Sequence, residues 1–171
     1  MIENGVRDRH GRLVSLREVG DDWRAVADVA PLDHQRRFVP ALAARYLLLS
    51  DRDHVWRSLG VYADEEVVGH VMWAVDDDNV CWIGGLLIDG SQQGAGIGRA
   101  ATETLLHWLS ATSGCQAVRL SHLPDNDSAA RLYASLGFRP TGEVEDDEIV
   151  LERSLKVAPS RVQPGAPSTY G

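Results

Sequence analysis

The sequence predicts a single mixed α/β domain of the α+β type, with strands gathered early and strands alternating with helices later. Three observations lead there. Between residues 58 and 88, three β-rich apolar runs follow one another with only short polar breaks. From Gly98 onward, helical apolar periodicity alternates with short β-branched runs. A chain of 171 residues with 44% hydrophobic content buries one substantial core but hardly two.

The elements follow in order. Residues 1–12 are polar and glycine-containing and read as a flexible N-terminal extension, which sets the domain at residues 13–155. Residues 14–17 make a short strand, and Asp21-Asp22 offers a cap to a helix carrying Trp23, Val26 and Ala27. A second helix is expected after Pro31-Leu32-Asp33, with Phe38, Leu42 and Tyr46 along one side. Runs 58–63 and 67–74 are separated by Asp64-Glu65-Glu66, and run 80–88 follows the polar turn Asp76-Asp77-Asp78-Asn79. Connections this short imply an antiparallel meander. Next come a helix over residues 98–110, a strand over 117–121, a helix over 128–136 ended by Gly137, and a strand pair at 139–141 and 148–155. The tail from Lys156, KVAPSRVQPGAPSTYG, is rich in proline, serine and glycine and is expected to be disordered.

Composition narrows the function. There is no basic-then-apolar leader and no run near the roughly 18 apolar residues of a membrane span, so a cytoplasmic protein with no membrane partner is expected. Cys81 and Cys115 lack the number and spacing of a disulfide framework or zinc site and read as buried or half-buried thiols, with no metal expected. A formal net charge of −8 repels nucleic acid and attracts small cations. The runs Asp76-Asp77-Asp78 and Glu143, Glu145, Asp146, Asp147, Glu148 read as solvated turns.

The stretch SQQGAGIGRA, residues 91–100, alternates Gly94, Gly96 and Gly98 into a helix start. Removing side chains lets backbone N–H groups converge, and the helix dipole adds positive potential, so the stretch suits a pyrophosphate. A P-loop is excluded because no Lys-Ser/Thr pair follows. The dinucleotide fingerprint is met formally by Gly96, Gly98 and Ala101, but a meander precedes it and Val118-Arg119-Leu120 occupy the expected acid region. A second constellation, PDNDSAARLYASLGF, sets Asn126 and Tyr133 two helical turns apart on one face, with Ala129 and Ala130 between them.

Together these motifs resemble the GNAT superfamily of N-acetyltransferases: Gln93, Gly96 and Gly98 match its Q/R-x-x-G-x-G/A motif, and Asn126, Ala129, Leu132, Tyr133, Gly137 and Phe138 match N-x-x-A-x-x-L-Y-x-x-x-G-F. The likeness runs from Leu13 to Leu155. It implies a twisted, mostly antiparallel sheet splayed at its centre, flanked by helices, with acetyl-CoA as cosubstrate. It further implies that the backbone of Leu87 and Ile88 serves the acetyl and pantetheine portions. Gln93, Gly94, Ala95, Gly96, Ile97, Gly98 and Arg99 would hold the pyrophosphate, and Asn126 and Ala129 the pantetheine arm. Tyr133 would be the acid that protonates the leaving thiolate.

No carboxylate stands on the fourth strand, where several relatives carry a base, so proton removal falls to a water chain or to residues elsewhere, with His122, Asp33 and His34 as candidates, each with surface or structural duty the simpler reading. Segments 35–39, 68–72, 82–83 and 137–143 resemble bacterial spermine/spermidine acetyltransferases, which implies a small-molecule amine acceptor, a polycation on that likeness. Gly84-Gly85 departs from those relatives and leaves room for a wider or differently charged acceptor pocket. A protein N-terminus or an aminoglycoside remains an alternative acceptor, a non-catalytic acetyl-CoA-binding module or a nicotinamide enzyme a remote one, and a homodimer stays open.

Overall fold

Seven successive residues of one strand, 68–74, are buried, which happens only where helices cover both faces of a sheet. The computed structural model describes residues 1–155, and the tail expected to be disordered lies outside the described residues. In chain order the elements are β1 (Val14–Glu18), α1 (Trp23–Ala27), α2 (Ala44–Asp53), β2 (Arg57–Ala63), β3 (Glu66–Val75), β4 (Cys81–Ile88), α3 (Ile97–Thr112), β5 (Ala117–His122), α4 (Asp127–Ser135), β6 (Arg139–Glu145) and β7 (Glu148–Ser154). The strands form one sheet in the order β1-β2-β3-β4-β5-β7-β6. The meander β2 to β4 is antiparallel, as its short connections require, and β1 joins it antiparallel along β2 although α1 and α2 lie between the two strands in the chain.

The site is positioned by the one parallel pairing. β4 and β5 pair only at Cys81↔Val118 and Trp82↔Arg119, and beyond those residues they diverge. The sheet therefore opens in its middle, and β5 continues with β7 instead, from Ala117↔Ser154 to His122↔Ile149. α3 covers one face through Ile97, Ala101, Leu105 and Leu109, spaced four apart and each no more than 1% exposed. Its Trp108 meets Trp73 of β3 edge to face at 5.0 Å. A smaller cluster of Val29, Ala43 and Leu87 covers the other face. Alternation along β4 sends Ile88 to the first cluster and Leu87 to the second.

Three expectations are corrected. Residues 1–12 are not a loose extension: Ile2 and Leu16 exchange backbone hydrogen bonds of 2.8 and 2.9 Å, and Arg7 bridges Leu13. The buried carboxylate of Asp8 accepts the backbone amides of His10 and Arg12, each at 2.9 Å, and pairs with Arg12 Nε at 2.8 Å. The second helix does not run through Phe38 and Leu42. A 3-10 turn spans Asp33–Gln35 and the helix starts only at Ala44, because Pro40 interrupts the path and biases Val39 away from helical backbone. The cysteines are buried as expected, but they are not thiols. Parallel β4 and β5 bring Cys81 and Cys115 to a Cα separation of 5.9 Å, and they form a disulfide. Spacing along the chain could not show this, since the two have a sequence separation of 34.

Candidate active site

All twelve residues expected at the cofactor site, Leu87, Ile88, Gln93, Gly94, Ala95, Gly96, Ile97, Gly98, Arg99, Asn126, Ala129 and Tyr133, line one cleft of about 940 Å³ where the sheet opens. At its floor the chain leaves β4 through Asp89, whose carboxylate accepts the amides of Ser91 and Ala30 at 3.0 and 3.4 Å. Gly94 and Gly96 then adopt left-handed backbone, φ +85° and +83°, and α3 begins at Ile97. Gly98 has no such backbone demand. A Cβ there would meet Ile88 Cγ1 at 3.6 Å, an ordinary contact, so the missing side chain leaves space on the cleft side of the helix start.

The first-turn amides of α3 have no intrahelical acceptor, and with the dipole they form an anion site that fits the pyrophosphate of acetyl-CoA. Gln93 serves this loop differently from expectation. Its side-chain amide donates to Ile88 O at 2.9 Å and to Gln35 Oε1 at 2.8 Å, and its oxygen accepts Gln35 Nε2 at 2.9 Å. The side chain thus locks the loop onto β4.

Asn126 is the cap of α4: Oδ1 accepts Ala129 N at 3.2 Å, satisfying one first-turn donor. The other end of α4 explains the Y-x-x-x-G-F spacing. Gly137, φ +88°, lets Phe138 N donate to Tyr133 O and Gly137 N to Ala134 O, both at 3.1 Å, a left-handed helix stop. Phe138 then returns into the core, 1% exposed, and its ring meets Tyr133 edge to face at 6.0 Å. Tyr133 is fixed by this stop. Its ring is 9% exposed and lines the cleft, and its hydroxyl finds no hydrogen-bond partner among the described residues. Burial first, then the neighbouring Tyr46 and the Glu148 carboxylate, raise its pKa well above the ordinary phenol value, so the hydroxyl stays protonated throughout the neutral range.

Around Tyr133 the structure sorts the base candidates. His122 is buried and lines the cleft. Its Nδ1 lies 2.8 Å from the Leu123 carbonyl, which can only accept, so Nδ1 carries a proton and Nε2 is the ring nitrogen left without that contact. His34 also lines the cleft, whereas Asp33 does not: its side chain is 91% exposed and pairs with Arg36. Glu148, expected in a solvated turn, is corrected to a cleft residue. The strand pairing of β7 with β5 places it beside Ser121, whose hydroxyl donates to its carboxylate. Sequence reasoning missed it because the acidic run conceals which member falls on the strand.

Gly84 and Gly85 do not widen the acceptor side. A Cβ on Gly84 would meet the Trp56 ring at 3.1 Å, and one on Gly85 would meet Tyr46, His70 and Met72 at 3.2 Å, so aromatic rings already fill the space. Gly85, φ +57°, sits at a bulge between β3 and β4. Its carbonyl accepts His70 Nδ1 at 2.8 Å, which makes Nε2 the acceptor from Ser58 Oγ at 2.9 Å, and Ser50 Oγ lies 2.6 Å further. Tyr46 stacks on the His70 ring at 5.3 Å. Burial pushes His70 down to about 4, against the opposing pull of the Gly85 carbonyl, so the imidazole is neutral. Burial and the Glu148 carboxylate push Tyr46 up to about 12.

A sheet opened between β4 and β5, a glycine loop at a helix start and an unpartnered tyrosine hydroxyl define an acyl-CoA-dependent transferase. The chain belongs to the acetyltransferase (GNAT) family, whose sequence profile matches residues 21–138, and it is an N-acetyltransferase. It is 28% identical over 153 residues to the spermine/spermidine N(1)-acetyltransferase of Bacillus subtilis, covering 83% of this chain and 99% of that protein. Among solved structures, spermidine N-acetyltransferase from Vibrio cholerae, in complex with CoA and spermine, superposes with a TM-score of 0.68 at 15% identity, covering 83% of this chain and 95% of that one. The ribosomal-protein-S18-alanine N-acetyltransferase of Escherichia coli gives 0.64 at 18% identity, covering 88% and 99%. These structural likenesses extend to the fold. Among the described residues no helix is long and apolar enough to cross a membrane.

Proposed function

We propose that the chain transfers the acetyl group of acetyl-CoA to a primary amine of a small polycation such as spermine or spermidine. The observation that carries the acceptor is Glu148, a carboxylate lining the cleft near Tyr46 and Tyr133 in a chain of net charge −8. Ammonium groups are drawn to it, and the ring of Phe38, which also lines the cleft, suits the methylene stretches between them. The Bacillus relative supports this reading.

Bound acetyl-CoA supplies the activated thioester. The residues already named for the cofactor hold it: the loop amides from Gly94 to Arg99 take the phosphates, Asn126 and Ala129 flank the arm, and Leu87 and Ile88 offer backbone groups. His122 Nε2 takes the proton that the amine must lose to become a nucleophile, and Tyr133 gives one to the departing sulfur. The test is an acceptor panel read by thiol release. Spermidine should be acetylated faster than the N-terminus of an otherwise uncharged peptide, the preference should shrink with added salt, and Glu148→Gln should raise KM for spermidine more than it lowers kcat. Equal rates for both acceptors at low salt would remove the polyamine reading, and preference for the peptide would replace it with protein N-terminal acetylation.

A further inference from the structure

The N-terminal hairpin lies outside the residues matched by the family profile, yet it forms part of the cleft wall. Arg9 lies directly on the glycine loop: its amide donates to Ala95 O at 2.8 Å and its Nη1 to Gly94 O at 3.1 Å. Its Cγ lies 3.6 Å from where a Cβ on Gly96 would stand. The hairpin is braced for this position. Asp8, fully buried, holds Arg12, and Arg12 reaches Gln92 Oε1 at 3.0 Å and Glu66 at 3.3 Å, tying the hairpin to the turn that leads into the loop. Arg9 itself has no carboxylate partner among the described residues, whereas Arg99, at the same helix start, is committed to Glu103 and Ser135. An exposed guanidinium using one of its five donors on a loop carbonyl, in a chain of net charge −8, is a site for an anion.

We propose that the N-terminal hairpin is an element of the coenzyme site, in which Arg9 binds a phosphate group of the 3′-phospho-ADP end of coenzyme A and the Asp8–Arg12 pair positions it. This rests on the acetyl-CoA reading of the cleft. The loop amides supply the neutral donors and Arg9 the full positive charge, which the loop sequence itself lacks once Arg99 is paired.

Calorimetric titration with coenzyme A of the full chain and of Arg9→Lys, Arg9→Gln and Arg9→Glu tests it, each variant first checked for an unchanged melting temperature. Arg9→Lys should bind within about threefold of the parent, Arg9→Gln roughly three- to tenfold more weakly, and Arg9→Glu more weakly still. A charge role grades the series this way, whereas a packing role would penalise Lys and Gln alike. Repeating the titration with 3′-dephospho-CoA identifies the phosphate: a penalty that persists assigns the pyrophosphate, and one that vanishes assigns the 3′-phosphate. Parent-like affinity of both Arg9→Gln and Arg9→Glu overturns the inference while leaving the cofactor site intact. Failure of the parent chain to bind coenzyme A overturns the cofactor reading and the inference with it.

Discussion

Gly98→Ala separates what the fold asks of the third loop glycine from what the ligand asks. Gly98 is the second residue of α3, without the left-handed backbone of Gly94 and Gly96. An added methyl would meet Ile88 Cγ1 at 3.6 Å and Leu132 Cδ2 at 4.0 Å, both ordinary contacts. Replacing a helical glycine by alanine stabilises by about 0.5–1 kcal/mol, which for a domain of this size raises the melting temperature by roughly 1–4 °C. The same methyl stands where the phosphates must approach the first-turn amides. Loss of one hydrogen bond to a charged group costs about 1.5–3 kcal/mol, so affinity for coenzyme A should fall roughly ten- to hundredfold. Differential scanning fluorimetry without ligand and calorimetry with coenzyme A give the two numbers. They should move in opposite directions. Affinity within twofold of the parent would refute the placement of the pyrophosphate at this helix start, and a lowered melting temperature would refute the packing argument.

Tyr133→Phe keeps the ring packed on Phe138 and removes a hydroxyl with no internal partner, so stability and coenzyme affinity should hold while kcat falls roughly 10²–10⁴-fold; parent-like kcat in single-turnover measurements would reduce Tyr133 to packing. The raised pKa of this phenol also sets the alkaline fall in its proton-donor function above the ordinary tyrosine value of 10, which a pH–rate profile reads. His70 is neutral in the fold at about 4 against 6.5 when unfolded, so its contribution is whole above pH 6.5 and is lost as pH falls toward 4, up to about 3 kcal/mol. Urea unfolding at pH 7 and 4.5 should show that loss in the parent and a smaller one in His70→Gln; an identical pH dependence in both would clear His70 of the effect. Reducing Cys81–Cys115, which closes a loop with a sequence separation of 34, should lower stability by up to about 4 kcal/mol. Two reactive thiols in the denatured, unreduced protein would contradict the bond.

The sequence by itself determined the class of the fold and which residues gather at the loop and helix that line the cleft, because the residues concerned are near neighbours in the chain. Gly94, Gly96 and Gly98 sit on one loop, and Asn126, Tyr133, Gly137 and Phe138 on one helix with its cap and stop, so helical periodicity and backbone requirements were enough to group them. The antiparallel meander of β2, β3 and β4 was legible for the same reason, each strand meeting the next through a short turn. The rest depended on pairings between distant segments, where no local propensity carries information. The contact of β4 with β5 joined Cys81 to Cys115, and the pairing of β7 with β5 carried Glu148 into the cleft that its acidic neighbours leave. Gly84 and Gly85 looked like vacant space along the strand, but Trp56 and Tyr46 approach from other elements and occupy it. Residues 1–12 looked polar and loose until the burial of Asp8 and its bond to Arg12 tied them to the cofactor loop, because the free energy that orders a polar segment lies in the surface it meets and not in its own composition.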